Sequence, residues 1–241
     1  MKYTNVNIFL LLIFLSILSC EEKKRSAVDL SQFQLGAISV SRSFGGECRW
    51  GLIDYKNYKI VDLLVSNSFE AEKQKEYHYL TTSNIAYTYF NRVRKQLKSE
   101  DKIRVKISFK DGRFLTADYS VDLLNKVAKK IAIINELVSK IKRKEYDSVV
   151  SCLKDSVIYK FDSKKVISEM KSSDLKFGDI MESFKMSGFY VKKNKVSGLQ
   201  LIHFSGYLTR KIRSHQFSIE LELNTDNLEV YFIDYRWYKF T

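Results

Sequence analysis

The chain has 241 residues, with 41 Lys and Arg against 28 Asp and Glu, a formal net charge of +13 and no proline. Its 45% hydrophobic and 29% charged residues give it the make-up of a folded globular protein and exclude a disordered chain. The length suits one large domain or two small ones, the lack of proline excludes a stiff Pro-rich linker, and the positive balance favours anionic partners without bearing on fold.

Lys2 and the amino terminus supply a positive start, and Ile8 to Leu18 form an apolar stretch broken only by Ser16. A bilayer-spanning helix needs about 20 apolar residues, so this shorter stretch reads as the core of a signal peptide. It ends in Ile17-Leu18-Ser19-Cys20, which resembles the bacterial lipobox, an aliphatic residue, a tolerant position and a small residue before cysteine. The resemblance implies that residues 1–19 are removed, that the Cys20 thiol is diacylglycerylated, and that the new amino terminus carries a further palmitate-class chain. Several acyl chains, at about 0.8 kcal/mol per buried CH₂, make a durable anchor.

Residues 20–34 then form a charged tether, and the body is expected in the bacterial cell envelope, with neither membrane nor leaflet assigned. Export disfavours nucleic acid and leaves lipid headgroups, anionic polysaccharide or an envelope protein as partners. An oxidising compartment permits a disulfide between Cys48 and Cys152. Cys152 lies in a helix-like apolar stretch and Cys48 in a glycine-containing loop, so two free thiols are the expectation.

In residues 35–120, a smaller α+β domain, Ala37 to Phe44 alternate as a strand would, and Gly45-Gly46-Glu47-Cys48 reads as a turn. Ser83 is placed to cap a helix with Ile85, Tyr89, Val93 and Leu97 on one face. Ile103, Val105, Ile107 and Phe109 alternate with polar residues as a strand. Asp111-Gly112 marks a hairpin, and a three-residue loop from Asp111 to Arg113 keeps one apolar face by pairing Phe109 with Leu115 and Ile107 with Ala117.

In residues 121–241, Leu124, Val127, Ile131, Ile134, Val138 and Ile141 form the stripe of a long amphipathic helix, with Lys126, Lys129, Lys130 and Lys140 off it. A second short helix carries Tyr146 and Val149, and a third starts at Asp162 or Ser163. Strand-like alternation follows from about Ser187. A four-residue loop from Asn224 to Asn227 would pair Leu221 with Val230, Ile219 with Phe232 and Phe217 with Asp234. Helices followed by an antiparallel sheet predict the α+β class. The element order, the long first helix, Glu145-Tyr146-Asp147 and Phe177-Gly178 resemble the nuclear transport factor 2-like superfamily. That resemblance implies helices packed in a cone on a bent sheet, with a pocket inside; none of the superfamily's catalytic residues can be placed here.

No metal-ligand spacing, nucleophile elbow or phosphate loop occurs, so no catalytic residue, metal or cofactor is assigned. The register places His215, Asp234 and Arg236 together at a polar end of the inner sheet face, the expected mouth of a pocket. Lys192, Lys193, Lys195, Arg210, Lys211 and Arg213 lie in an acid-free stretch that could bind anions. The reading is a membrane-tethered, noncatalytic binding or interaction module, with a small-molecule or enzymatic pocket in the C-terminal cone as the alternative.

Overall fold

The apolar spacing of Phe33, Ala37, Val40 and Phe44 is that of a helix face, and all four are buried in the first helix, α1 (Leu30–Phe44). The computed structural model describes residues 30–155, 160–195 and 197–235. The strand expected at Ala37 to Phe44 is therefore corrected: Phe33, just outside that short window, completes a period of 3.6. Gly45 and Gly46 both take positive φ and reverse the chain, as a turn there requires. Cys48 lies in a strand, not in a loop.

The strands β1 (Glu47–Asp54), β2 (Lys59–Ser66), β3 (Lys102–Ser108) and β4 (Phe114–Ser120) form one sheet in that order. Its β2–β3 pair is parallel and the other pairs are antiparallel. The crossover between β2 and β3 contains a short helix, α2 (Phe69–Lys73), and α3 (His78–Val93). Ile85, Tyr89 and Val93 are fully buried on α3 as the spacing predicts. Ser83 is an interior residue of α3, not its cap, and Leu97 lies beyond the helix end.

The β3–β4 loop has three residues, but they are Lys110 to Gly112. Phe109 N–H bonds Arg113 O at 3.0 Å, and Ile107 faces Leu115. Gly112 (φ 84°) closes the loop in the left-handed region, which fixes the register two residues from the expected one while keeping the same faces together.

The long helix is α4 (Val121–Lys142), capped by Ser120, whose Oγ accepts from Leu123 N–H at 3.1 Å. Leu124, Val127, Ile134, Val138 and Ile141 are buried, and so is Lys130, which the periodicity put off the apolar stripe. Its stem packs inward and its ammonium reaches the Thr225 carbonyl. Two further helices follow, α5 (Tyr146–Val150) and α6 (Ser163–Phe177), the latter capped by Asp162 and ended by Gly178 at φ 77°.

The second sheet is a four-stranded antiparallel meander of β5 (Lys185–Lys193), β6 (Gln200–Leu208), β7 (His215–Glu222) and β8 (Val230–Asp234). Phe189, Phe204 and Ile219 cross its inner face in register. Helices with two sheets make this an α+β protein. From Gln32 onward the described residues belong to one compact unit. Helix α3 packs against β3 and β4 of the first sheet and β5 of the second. Ser83 Oγ accepts from Phe189 N–H at 2.9 Å, and Asn84 Nδ2 donates to Met186 O at 3.2 Å. A Cβ on Gly188 would lie 2.3 Å from Leu80 O, so the contact requires glycine.

Candidate functional site

Leu221 faces Val230 as the sequence suggests, but Tyr231 is an extra residue in β8 and shifts the register by one beyond that pair. Ile219 then faces Ile233, and Asp234 faces Ser218 instead of Phe217. Asp234 is thereby sent to the opposite sheet face from His215, and the expected pair is not formed. Tyr235, 3% exposed, takes the inner position beside Phe217, while Arg236 lies outside the described residues.

His215 is enclosed, its ring stacked on Phe177 at 5.2 Å and on Tyr235 at 5.7 Å. Arg210 donates from Nε to His215 Nδ1 at 3.1 Å, and from Nη1 to Gly178 O at 2.8 Å and to Asp174 Oδ1. Asp174 also accepts from Tyr146 Oη. Because a guanidinium only donates, His215 Nδ1 must present its lone pair, and the neutral ring carries its proton on Nε2. Burial first, and the Arg210 charge second, hold the His215 pKa down to about 4. This is a closed structural lock between α6, the β6–β7 turn and β7 in place of a polar mouth.

The basic strip is also corrected. Arg210 is 4% exposed and committed to the lock, and Lys192 pairs with Glu220 at 2.6 Å. Lys193 ends β5 and Lys195 follows it, whereas Lys211 and Arg213 lie in the β6–β7 turn, so the two sets stand at opposite ends of β6. A strand rises about 3.3 Å per residue, so the two sets stand roughly 25 Å apart.

On the outer face of the second sheet, Tyr190, His203, Glu220 and Phe232 fall in one cross-strand row. His203 meets Glu220 Oε1 through Nδ1 at 2.9 Å and Ser205 Oγ through Nε2 at 3.1 Å. Burial raises the Glu220 pKa, but the His203 and Lys192 bonds together outweigh it and leave the carboxyl below its ordinary range. The order serine, histidine, carboxylate is that of an acyl-transfer relay. Its setting differs: β6 is an interior strand paired with β5 and β7, so Ser205 sits within the sheet and not on the exposed strand-to-helix turn that presents a serine nucleophile. The ring of Tyr190 stacks on His203 at 4.7 Å. Cys48 is a poor nucleophile too, since burial pushes its thiol up to about 12. Cys48 and Cys152 are both free thiols.

An open concavity lies elsewhere. A cleft of about 770 Å³ runs between the C-terminal turn of α1, one face of α3 and the start of β5. Asn84, Tyr87, Thr88 and Asn91 line it from α3, at the i, i+3, i+4, i+7 spacing of one helix face. Phe44, Ile131, Phe184 and Met186 supply apolar surface, and Ser39, Ser43 and Ser187 add hydroxyls. Arg92, whose Nε donates to Ser39 Oγ at 3.1 Å, and Lys185 provide positive charge against Glu70. Burial raises the Tyr87 pKa against the lowering effect of its side-chain hydrogen bond with Asn91, so its hydroxyl stays protonated and is already engaged with that neighbour on the same helix face.

The polar α3 residues of this cleft, Asn84, Tyr87, Thr88 and Asn91, were not singled out by sequence reasoning, which followed the apolar face of this helix and not the polar one. The signal was nonetheless present as the amide and hydroxyl repeat from Asn84 to Asn91. Among the described residues no group of His, Cys, Asp and Glu could hold a metal ion, and no helix is long and apolar enough to cross a membrane. No protein-family model, curated protein or solved structure matches the chain. Fold and site together define an α+β protein with an open cleft of mixed polar and apolar lining between its two sheets' shared helix and β5.

Proposed function

We propose that the chain is the precursor of a membrane-tethered cell-envelope lipoprotein, and that its body is a noncatalytic binding module holding its ligand in the α3 cleft. The observation that carries the binding reading is the cleft itself, within the usual size range of ligand sites and rich in neutral groups that both donate and accept. The tether rests on Lys2, the apolar stretch Ile8 to Leu18 and the lipobox-like ending at Cys20.

Two measurements test the two parts. Cys20→Ser should leave an unprocessed chain without the acyl mass; normal size and normal detergent-phase partitioning in that variant refute the anchor. Hydrogen exchange of the detergent-solubilised full chain, with and without envelope saccharide and peptide fractions, should show slowed exchange across residues 84–92. Protection confined to β6–β8 refutes the cleft.

A further inference from the structure

A ligand's chemistry can be read from what the cleft walls offer and from what they already use. Hydroxyls of Ser, Thr and Tyr, and the carboxamides of Asn and Gln, each combine donor and acceptor capacity. The ligand matching such a wall carries many groups of the same dual kind, which is the chemistry of a sugar ring.

An extended peptide would most simply add a strand to the exposed edge of β5. Along the cleft that edge is occupied from within: Ser83 Oγ takes the Phe189 N–H, and Asn84 Nδ2 takes the Met186 carbonyl. An apolar small molecule would match Phe44, Ile131, Phe184 and Met186 but would cover the polar half of the lining without pairing it, which is costly on burial.

Tyr207, 44% exposed, stands at the rim, where its ring can lie against the C–H face of a sugar. Arg92 gives the site its charge preference. Its Nε is held by Ser39 Oγ, and that hydroxyl in turn donates to Leu35 O at 2.9 Å. The guanidinium is thus anchored at one nitrogen while its two terminal nitrogens form a fork suited to a carboxylate. Lys185 is paired with Glu182 at 3.0 Å, which leaves Arg92 as the principal carboxylate reader, set against the Glu70 carboxylate elsewhere in the lining.

We infer that the cleft binds an acidic oligosaccharide, with Asn84, Thr88 and Asn91 engaging ring hydroxyls and Arg92 engaging a sugar carboxylate. This inference rests on the reading of the cleft as the binding site. The test is titration calorimetry on the detergent-solubilised full chain with three probes: an oligo-uronate, chitohexaose as a neutral sugar, and oligoglutamate as a carboxylated peptide. The uronate should bind at least tenfold more tightly than either other probe. The double variant Thr88→Ala/Asn91→Ala should weaken uronate binding tenfold or more, and Arg92→Gln should abolish its preference over chitohexaose while keeping the native unfolding temperature.

Equal binding of oligoglutamate shows that charge alone is recognised and overturns the saccharide assignment. Equal binding of chitohexaose by the native chain overturns the role of Arg92. If no sugar binds while envelope fractions still protect residues 84–92, the saccharide inference falls and the cleft reading stands. If the uronate binds with unchanged affinity in the cleft variants, both fall.

Discussion

Acidification should destabilise this protein through His215 before its carboxylates titrate. An unfolded histidine has its pKa near 6.5, whereas the folded ring, buried between Phe177 and Tyr235 and facing Arg210, has its pKa lowered to about 4. Between those values the unfolded chain binds a proton that the folded chain does not, so stability falls as pH falls. Above about 6.5 both states are neutral and this residue imposes no penalty. Integrated over the window, the loss is about 2 kcal/mol at pH 5 and about 3 kcal/mol near pH 4, where the folded ring begins to protonate.

Against a typical stability of about 5–15 kcal/mol this is a large fraction. The depressed carboxyls of Glu220 and Asp118 begin to lose their contribution only as pH falls through the ordinary carboxylate range, about 4, and the loss is completed at lower pH. Urea unfolding followed by intrinsic fluorescence at pH 7 and pH 5 measures the effect. His215→Gln supplies the control, because the Gln carbonyl can still accept from Arg210 Nε but does not titrate. Its loss between the two pH values should be smaller by about 2 kcal/mol, the portion calculated for His215. An equal loss in the native chain and the variant refutes the reasoning, as does a His215 ring resonance titrating near 6.5.

Two further substitutions probe the architecture. Asp174→Asn removes the countercharge of Arg210, whose side chain is 0% exposed, and should cost about 3–5 kcal/mol in urea unfolding; a loss under about 1 kcal/mol refutes the lock. Gly188→Ala places a methyl 2.3 Å from Leu80 O, and relief requires moving α3 from β5. It should cost about 2 kcal/mol and speed amide exchange at Phe189, and native-like exchange there would refute the packing argument.

Periodicity was legible wherever one element buries one face. Leu124 to Ile141, Ile103 to Phe109 and Phe217 to Leu223 all present the faces their spacing implies. What failed was local phase. The bulge at Tyr231 has no composition of its own, and it moves Asp234 across the sheet without disturbing Leu221 opposite Val230. The Lys110–Gly112 loop keeps the expected length but slides the register by two, which leaves the face pattern intact and therefore invisible to a face-matching argument. The burial of Arg210 and Lys130 was hidden for another reason: each is compensated by partners remote in sequence, Asp174 and the Thr225 carbonyl. The cleft escaped because neutral amides and hydroxyls on a helix look like any solvated face until another wall stands opposite.

The sharing of α3 between the two sheets also has a temporal side. Ser83 and the Phe189 amide it receives are 106 residues apart, so this helix emerges from a ribosome or a translocation pore long before β5 exists to cover it. During that interval Leu80, Ser83 and Asn84 present an unfinished surface, and the first sheet cannot reach its final stability by itself. Such late closure lengthens the average span of native contacts, which slows folding and extends exposure to aggregation and proteolysis. A chain delivered across a membrane from its amino terminus would meet this delay outside the cytoplasm, with its last strands still in transit.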